Sequence, residues 1–383
     1  MTTNSKRIVL IGPMPPYRGG IAHFSASLAE KLLETGHDVK VISFRKQYPK
    51  LLYPGKSEKD SSQTISGVNT EYLFSPLNLR DWSVTLRQIQ TFQPDLVIYQ
   101  WWTTFWTLAT SWLIHKIKKS GINTKILIHN TVPHEATWLD TKLASWALRD
   151  ANSFVTMKEN EAKRLRGLVN PQAEILTAPH PIYRQFPSSG LSKVEVRRKL
   201  GLPIEAPIAL FFGFVRPYKG LRVLIDAMAI LRNEGVNIHL VVAGEFWDDQ
   251  GIYENKIAEL GIEEMVTIRA DYIPDSEAGL YFEAADVFVA PYTGGTQSGS
   301  IKQAMGYGLP LVVTDLIADP MIRDNASGSI VVPAGDDKSL ANGIKQSENY
   351  IQNSFEEAKT YQSSWSQLVN ALLCYSSKKD DQV

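Results

Sequence analysis

The sequence holds a single cysteine, Cys374, which excludes a disulfide framework and any multi-cysteine zinc or iron–sulfur site and fits a reducing compartment. It also lacks long apolar runs. The longest, such as 207–215 (PIALFFGFV), falls well short of the ~20 residues needed to span a bilayer. Only five apolar residues stand between Arg7 and Pro13, too few for a signal-peptide core, so the expected location is cytoplasmic. No HExxH, Gly-x-Ser-x-Gly, Walker A or nucleic-acid signature is present, and Asp248-Asp249 is a poor metal motif. Net charge is absent too: 40 Lys and Arg balance 40 Asp and Glu, which argues against a nucleic-acid partner.

That balance hides a polarity. Residues 1–185 carry 23 basic against 14 acidic side chains, leaving 17 against 26 in the remainder. A basic half and an acidic half suggest that one lobe faces an anionic partner, although solvated charges can also divide so by accident. At 383 residues and 44% hydrophobic composition, the chain can build two soluble domains with substantial cores.

The pattern along the chain is that of a parallel α/β fold. RIVLI (7–11) is followed by a turn-rich GPMPPYRGG and an amphipathic helix carrying Ile21, Phe24, Leu28, Leu32 and Leu33, then a strand from Val39 to Phe44. DLVIYQ (95–100), KILIHN (125–130) and SFVTMK (153–158) read as further buried strands, with a Trp-rich helical segment between the first two. A second unit opens with IALFFGFV and a helix bearing Leu221, Leu224, Ile225, Met228 and Leu231. It continues through IHLVVAG, MVTIR and VFVAPY, a helix over 297–308, and LPLVVTD. The Pro- and Ser-rich stretch 179–206 places the boundary. The expectation is two Rossmann-like parallel-sheet domains facing a central cleft: 1–185, joined by a C-terminal helix about 362–383, and 186–361. Ligands of such sheets bind at the carboxyl ends of the strands.

The chemistry-bearing residues sit in those loops. Gly19-Gly20 between the first strand and helix lets backbone approach a ligand, or serves only as a turn. Arg216 and Lys219 in RPYKG leave a strand end as two cations able to hold phosphate. Thr296, Gln297, Ser298, Gly299 and Ser300 form a hydroxyl-rich loop entering a helix, and with the two cations describe a diphosphate site. His129 and His134 outrank His180 as groups that position a sugar hydroxyl or manage a proton. The stretch 101–112, with Trp101 and Trp102 as acceptor-side candidates and Lys116, Lys118 and Lys119 behind it, suits sugar stacking or a membrane interface. It equally suits a helix packed on its sheet.

These pieces together resemble the GT-B glycosyltransferases of the large retaining family 4. The matching segments are GPMPPYRGGIAHF, HN-x-x-PHE at 129–135, GFVRPYKGLRVLIDAM at 213–228, VVAGEF at 241–246, ADVFVAPY and AMGYGLPLVVTD at 304–315. The resemblance implies a nucleotide-diphosphate sugar donor held mainly by the second domain and a glycan or lipid-linked acceptor held by the first. No cofactor or metal is implied, and the implied setting is cell-envelope polysaccharide assembly. Peripheral contact with an anionic membrane face is a further expectation. The resemblance implies that Arg216 and Lys219 neutralise the leaving diphosphate, that Gly19 and Gly20 approach it, and that His129 touches the transferred sugar. Glu245 belongs to the donor set, and backbone near Tyr272 and Ile273 holds the base. Of the two glutamates the family usually carries eight positions apart, Gly295 and Gln303 stand here. Gln303 could still bond a ribose hydroxyl. A nucleotide-sugar epimerase on the same fold and a catalytically degenerate binding module are the alternatives.

Overall fold

The computed structural model describes residues 5–47, 58–60, 68–133, 137–186, 188–295, 298–323, 328–350 and 357–374. The chain divides into two compact units. Met1–Leu52, Ile65–Pro181 and Gln362–Val383 form one, and Tyr53–Thr64 with Ile182–Tyr361 the other.

The first unit contains β1 (Arg7–Ile11), α1 (Gly20–Glu34), β2 (Asp38–Phe44), β3 (Thr70–Phe74), α2 (Leu79–Phe92), β4 (Leu96–Trp101), α3 (Thr107–Lys119), β5 (Thr124–Ile128), α4 (Trp138–Leu148), β6 (Ser153–Thr156), α5 (Glu159–Arg166) and β7 (Glu174–Thr177). The second contains α6 (Lys193–Leu200), β8 (Ile208–Phe212), α7 (Leu221–Asn233), β9 (His239–Ala243), α8 (Gln250–Leu260), β10 (Val266–Arg269), α9 (Asp275–Ala284), β11 (Val287–Ala290), α10 (Gly299–Gly306), β12 (Leu311–Thr314), α11 (Pro320–Arg323), β13 (Ser329–Val332) and α12 (Asp337–Ser347). A last helix, α13 (Glu357–Leu373), returns to the first unit.

Both sheets are parallel. The first runs β3-β2-β1-β4-β5-β6-β7 and the second β10-β9-β8-β11-β12-β13. Helices cover both faces, so central strands are apolar on both sides: every residue of β4 and β9 is buried. In β8, Ile208 and Leu210 enter one core while Ala209 and Phe211 enter the other, the two-residue alternation of a strand. Helix starts are set by side chains. Thr137 with Asp140 and Ser192 with Glu195 form capping boxes on α4 and α6, and Asp249 caps α8.

The order of strands defines where ligands go. In the first sheet the chain winds outward from β1 to β3, then restarts at β4 on the other side of β1. In the second it winds from β8 to β10, then restarts at β11 beside β8. Each reversal opens a crevice between two loops at the carboxyl ends of adjacent strands. In the second unit those loops are 213–220 and 291–295.

Candidate functional site

The loop after β8 is held by its neighbours through glycines. Gly213 N donates to Ala243 O and Val215 N to Glu245 O, extending the pairing past the strand ends. A Cβ on Gly244 would lie 2.2 Å from Gly213 O, so only glycine lets these backbones meet. Gly220, at φ +75°, is closed more tightly still, since a Cβ there would lie 1.8 Å from Pro291 O. Thr293 N donates to Tyr218 O at 2.8 Å, tying the two loops of the crevice together.

This frame aims the predicted cations. Lys219 is only 8% exposed. Its Nζ and Ser300 Oγ lie 3.1 and 3.3 Å from the point a Cβ on Gly213 would occupy, so both converge above the end of β8. Burial first, and the Arg216 charge second, push the Lys219 ammonium down to about 7. The Arg216 guanidinium lies 5.2 Å from the Tyr218 ring and 5.5 Å from the Trp247 ring, and stacking of that kind pre-sets its direction. Ser298 caps α10 by accepting from Ile301 N and pairs with Tyr292 Oη at 2.9 Å. Thr296 and Gln297 lie outside the described residues.

Around this centre, Glu245 is buried at the end of β9, with its carbonyl accepting from Val215. The Tyr272 hydroxyl donates to Asp60 at 3.2 Å, and Asp60 also accepts from Asp275 N at the start of α9. Asp60 therefore groups with the second unit, although its place in the chain would put it in the first expected domain. Ile273 packs on the core, and Phe214 lies 4.6 Å from Trp247 and 6.3 Å from Tyr272. Asp60, Tyr218 and Trp247 were not legible in the sequence.

Gly295 and Gln303 have local explanations. Gly295 adopts φ +99°, so a residue with a side chain would be strained there by its backbone, while its Cβ would make ordinary contact with the Tyr218 ring at 3.4 Å. Gln303 is buried. With its amide turned to satisfy both ends, it donates to Tyr183 O at 3.2 Å and accepts from Gln185 N at 3.1 Å. In that orientation it braces the backbone of 183–185.

In the first unit, Gly19 begins α1 at φ +109°, with open space where Cβ atoms on Gly19 and Gly20 would stand. His129, just past β5, is 6% exposed. Its Nε2–H donates to Gln100 Oε1 at 2.8 Å, and the Gln100 amide donates to Ser25 Oγ at 2.8 Å. The Phe24 ring meets His129 edge-on at 5.0 Å. Burial, and then the nearby His180, hold the His129 imidazole down to about 3. It is therefore neutral, with Nδ1 as its acceptor. Gln100 was missed because nothing local distinguishes it from a core glutamine. A Cβ on Gly12 would overlap its amide, at 2.3 Å from Nε2, which shows how closely the backbone passes.

Three first-unit candidates need correction or fall outside the described residues. Trp101 is 1% exposed, its indole donating to Thr131 O, so no ring face is open to an acceptor. Trp102 is half-buried against Phe44 and Trp106. The aromatic run packs inward because β4 and the turn after it lie beneath helices. His134 lies outside the described residues.

Two Rossmann-like units, each with a glycine-rich turn at its strand end, define the GT-B class. Sucrose-phosphate synthase from Thermosynechococcus elongatus shares this fold, with TM-score 0.64, 18% identity and coverage of 96% of this chain and 94% of that one. The Anabaena protein HepE, solved in complex with UDP and glucose, does so at TM-score 0.69 and 13% identity, covering 96% and 97%. Residues 18–185 match the family described as Glycosyltransferase Family 4 and residues 206–348 match Glycosyl transferases group 1. The chain belongs to this glycosyltransferase family. Mannosylfructose-phosphate synthase of Agrobacterium fabrum is 28% identical over 155 residues, 39% of this chain and 34% of the relative. The chain spans between a third and a half of the length of the curated relatives it matches.

Proposed function

We propose that the chain transfers a sugar, with retention and without a metal, from a nucleotide-diphosphate sugar to a glycan or lipid-linked acceptor in cell-envelope polysaccharide assembly. The observation that carries this reading is the convergence of Lys219, Arg216 and Ser300 at the switch point of the second sheet, where no carboxylate pairs with Lys219 among the described residues. Such a cradle suits a diphosphate. As the bond from the anomeric carbon to the phosphate oxygen lengthens, negative charge grows on that oxygen and the two cations stabilise it. In front-face attack the departing phosphate takes the acceptor's hydroxyl proton, so no side-chain base is required. His129, neutral and with Nε2–H committed to Gln100, offers Nδ1 to a hydroxyl of the transferred sugar. The UDP and glucose held by HepE agree with a donor of this class.

The test is a thermal-shift screen with UDP-, GDP- and ADP-sugars, with and without EDTA, on wild type and Arg216→Ala. A ligand bound only by the folded state stabilises it by about 2.7 kcal/mol at a hundredfold excess over Kd. One nucleotide class should raise the melting temperature irrespective of EDTA, and Arg216→Ala should lose that shift. Turnover in Arg216→Ala should fall by about 100- to 1,000-fold, the effect of losing one preorganised donor. Binding without transfer would point to a degenerate module, and sugar interconversion without acceptor to an epimerase.

A further inference from the structure

Helix α4 turns its large side chains outward. Positions 138, 139, 142, 146 and 149 fall within about 100° of one face at 3.6 residues per turn and hold Trp, Leu, Lys, Trp and Arg. The opposite face buries Ala144, Ala147 and Leu148. Trp138 is 71% exposed, Leu139 50% and Trp146 38%. A surface helix ordinarily places its bulk toward the core and its small or polar residues toward water.

Charge accompanies this apolar face. The Lys142 ammonium lies 4.7 Å from the Trp138 ring centroid and the Arg149 guanidinium 6.0 Å from that of Trp146. Helix α3 packs alongside, with Leu108 half exposed and Lys116, Lys118 and Lys119 in its last turn. Among the described residues, two carboxylates share the region. Asp140 is occupied in capping α4 through Thr137 and accepting from Thr104. Asp150 meets His115 at 2.9 Å, with Lys118 and Arg149 each 3.9 Å away. Among the described residues, five cations thus stand against two acids that are already engaged.

Tryptophans beside cations on one exposed face match a particular solvent, the headgroup layer of a bilayer. There the ring buries its apolar body while its indole N–H stays wet, and the lysine stems extend toward phosphate. We propose that the α3–α4 face docks on an anionic bilayer, seating Trp138, Leu139 and Trp146 among the headgroups with Lys116, Lys119 and Lys142 toward their charges. The membrane contact expected from residues 101–119 thereby moves largely to α4, because Trp101 and Trp106 are core residues. The inference rests on the lipid-linked-acceptor reading for its purpose. Its test uses neither donor nor acceptor, so either can fail alone.

The experiment is flotation of the full chain with vesicles of phosphatidylcholine alone, or of phosphatidylcholine and phosphatidylglycerol, at low and high salt. Wild type should float with the anionic vesicles, and about tenfold less with the neutral ones or in high salt. Trp138→Ser with Trp146→Ser, and separately Lys142→Glu with Arg149→Glu, should each lower the bound fraction about tenfold, with circular-dichroism melting curves unchanged. Brominated lipid should quench tryptophan emission in wild type more than in the double Trp variant. Absence of flotation by wild type, or equal flotation by the folded variants, would overturn the proposal. So would concentration-dependent self-association abolished by the same substitutions, which would assign the face to a second copy of the chain.

Discussion

Lys219 is a buried ammonium that feels the positive charge of Arg216. A lysine brought down to about 7 from 10.5 carries its proton only part of the time at neutral pH, and an arriving diphosphate would restore the full charge. Donor binding should therefore take up a proton. Above pH 7, affinity should weaken by up to about tenfold per pH unit, as linkage requires when only the bound form keeps the proton. Calorimetry of the selected nucleotide sugar between about pH 6.5 and 8.5, in buffers of different ionisation enthalpy, reads both effects. A Kd independent of pH would show that the Lys219 charge does not meet the diphosphate, and Lys219→Met should remove the dependence. The same shift has a stability sign. The unfolded chain binds more protons between pH 7 and 10.5, so this group makes folding more favourable as pH rises through that window. Sequence could place this lysine at a strand end beside an arginine. It could not show that Gly213 leaves room for its Nζ to be buried there, nor that Asp60, 212 residues away, meets the Tyr272 hydroxyl.

At the scale of elements, what was legible follows from burial. Central strands covered on both faces appear as continuous apolar runs, and RIVLI, DLVIYQ, IHLVVAG and LPLVVTD all became strands. The strands without such a signal are β3, β7 and β13, which lie at sheet edges and are mostly half-buried, so their sequences mix polar and apolar residues. The outward face of α4 was illegible for a related reason: composition does not say which face of a helix meets the sheet. The glycines flanking α7 give an element-scale test. Gly220 and Gly235 have nearly the same φ, +75° and +71°, yet a Cβ would meet Pro291 O at Gly220 and nothing within 4 Å at Gly235. Gly235→Ala should cost about 1–2 kcal/mol, the left-handed penalty alone. Gly220→Ala should cost that and the displacement of loop 291–295 as well, lowering the melting temperature by at least about twice as much. Equal losses would show that the close approach does not constrain the crevice.

At the scale of the molecule, the last helix in sequence serves the first unit. Trp365 is 2% exposed and its ring lies 5.7 Å from that of Phe24, which in turn meets His129 and His180. The carboxyl end of α13, where a helix leaves carbonyls unpaired, is met by lysines. Lys6 Nζ donates to Leu373 O at 3.1 Å, and the fully buried Lys125 donates to Ala371 O at 2.8 Å and to Cys374 O. Without α13, Lys125 would lose both of these carbonyls and keep Glu174, at 3.6 Å, beside a charge that burial already disfavours. A chain ending at Tyr361 should therefore lose stability in the first unit while the second, which contains Arg216 and Lys219, still binds the nucleotide. Hydrogen exchange would report this as faster exchange in α1 and β5 with β8 and β11 unchanged. In the full chain, Trp365→Ala should cost about 3–5 kcal/mol in the first unit, the usual consequence of emptying a buried tryptophan site. Unaltered exchange in α1 and β5 after truncation would mean that the first sheet holds its own core without the returning helix, and that the lysines at its end stabilise α13 rather than the reverse.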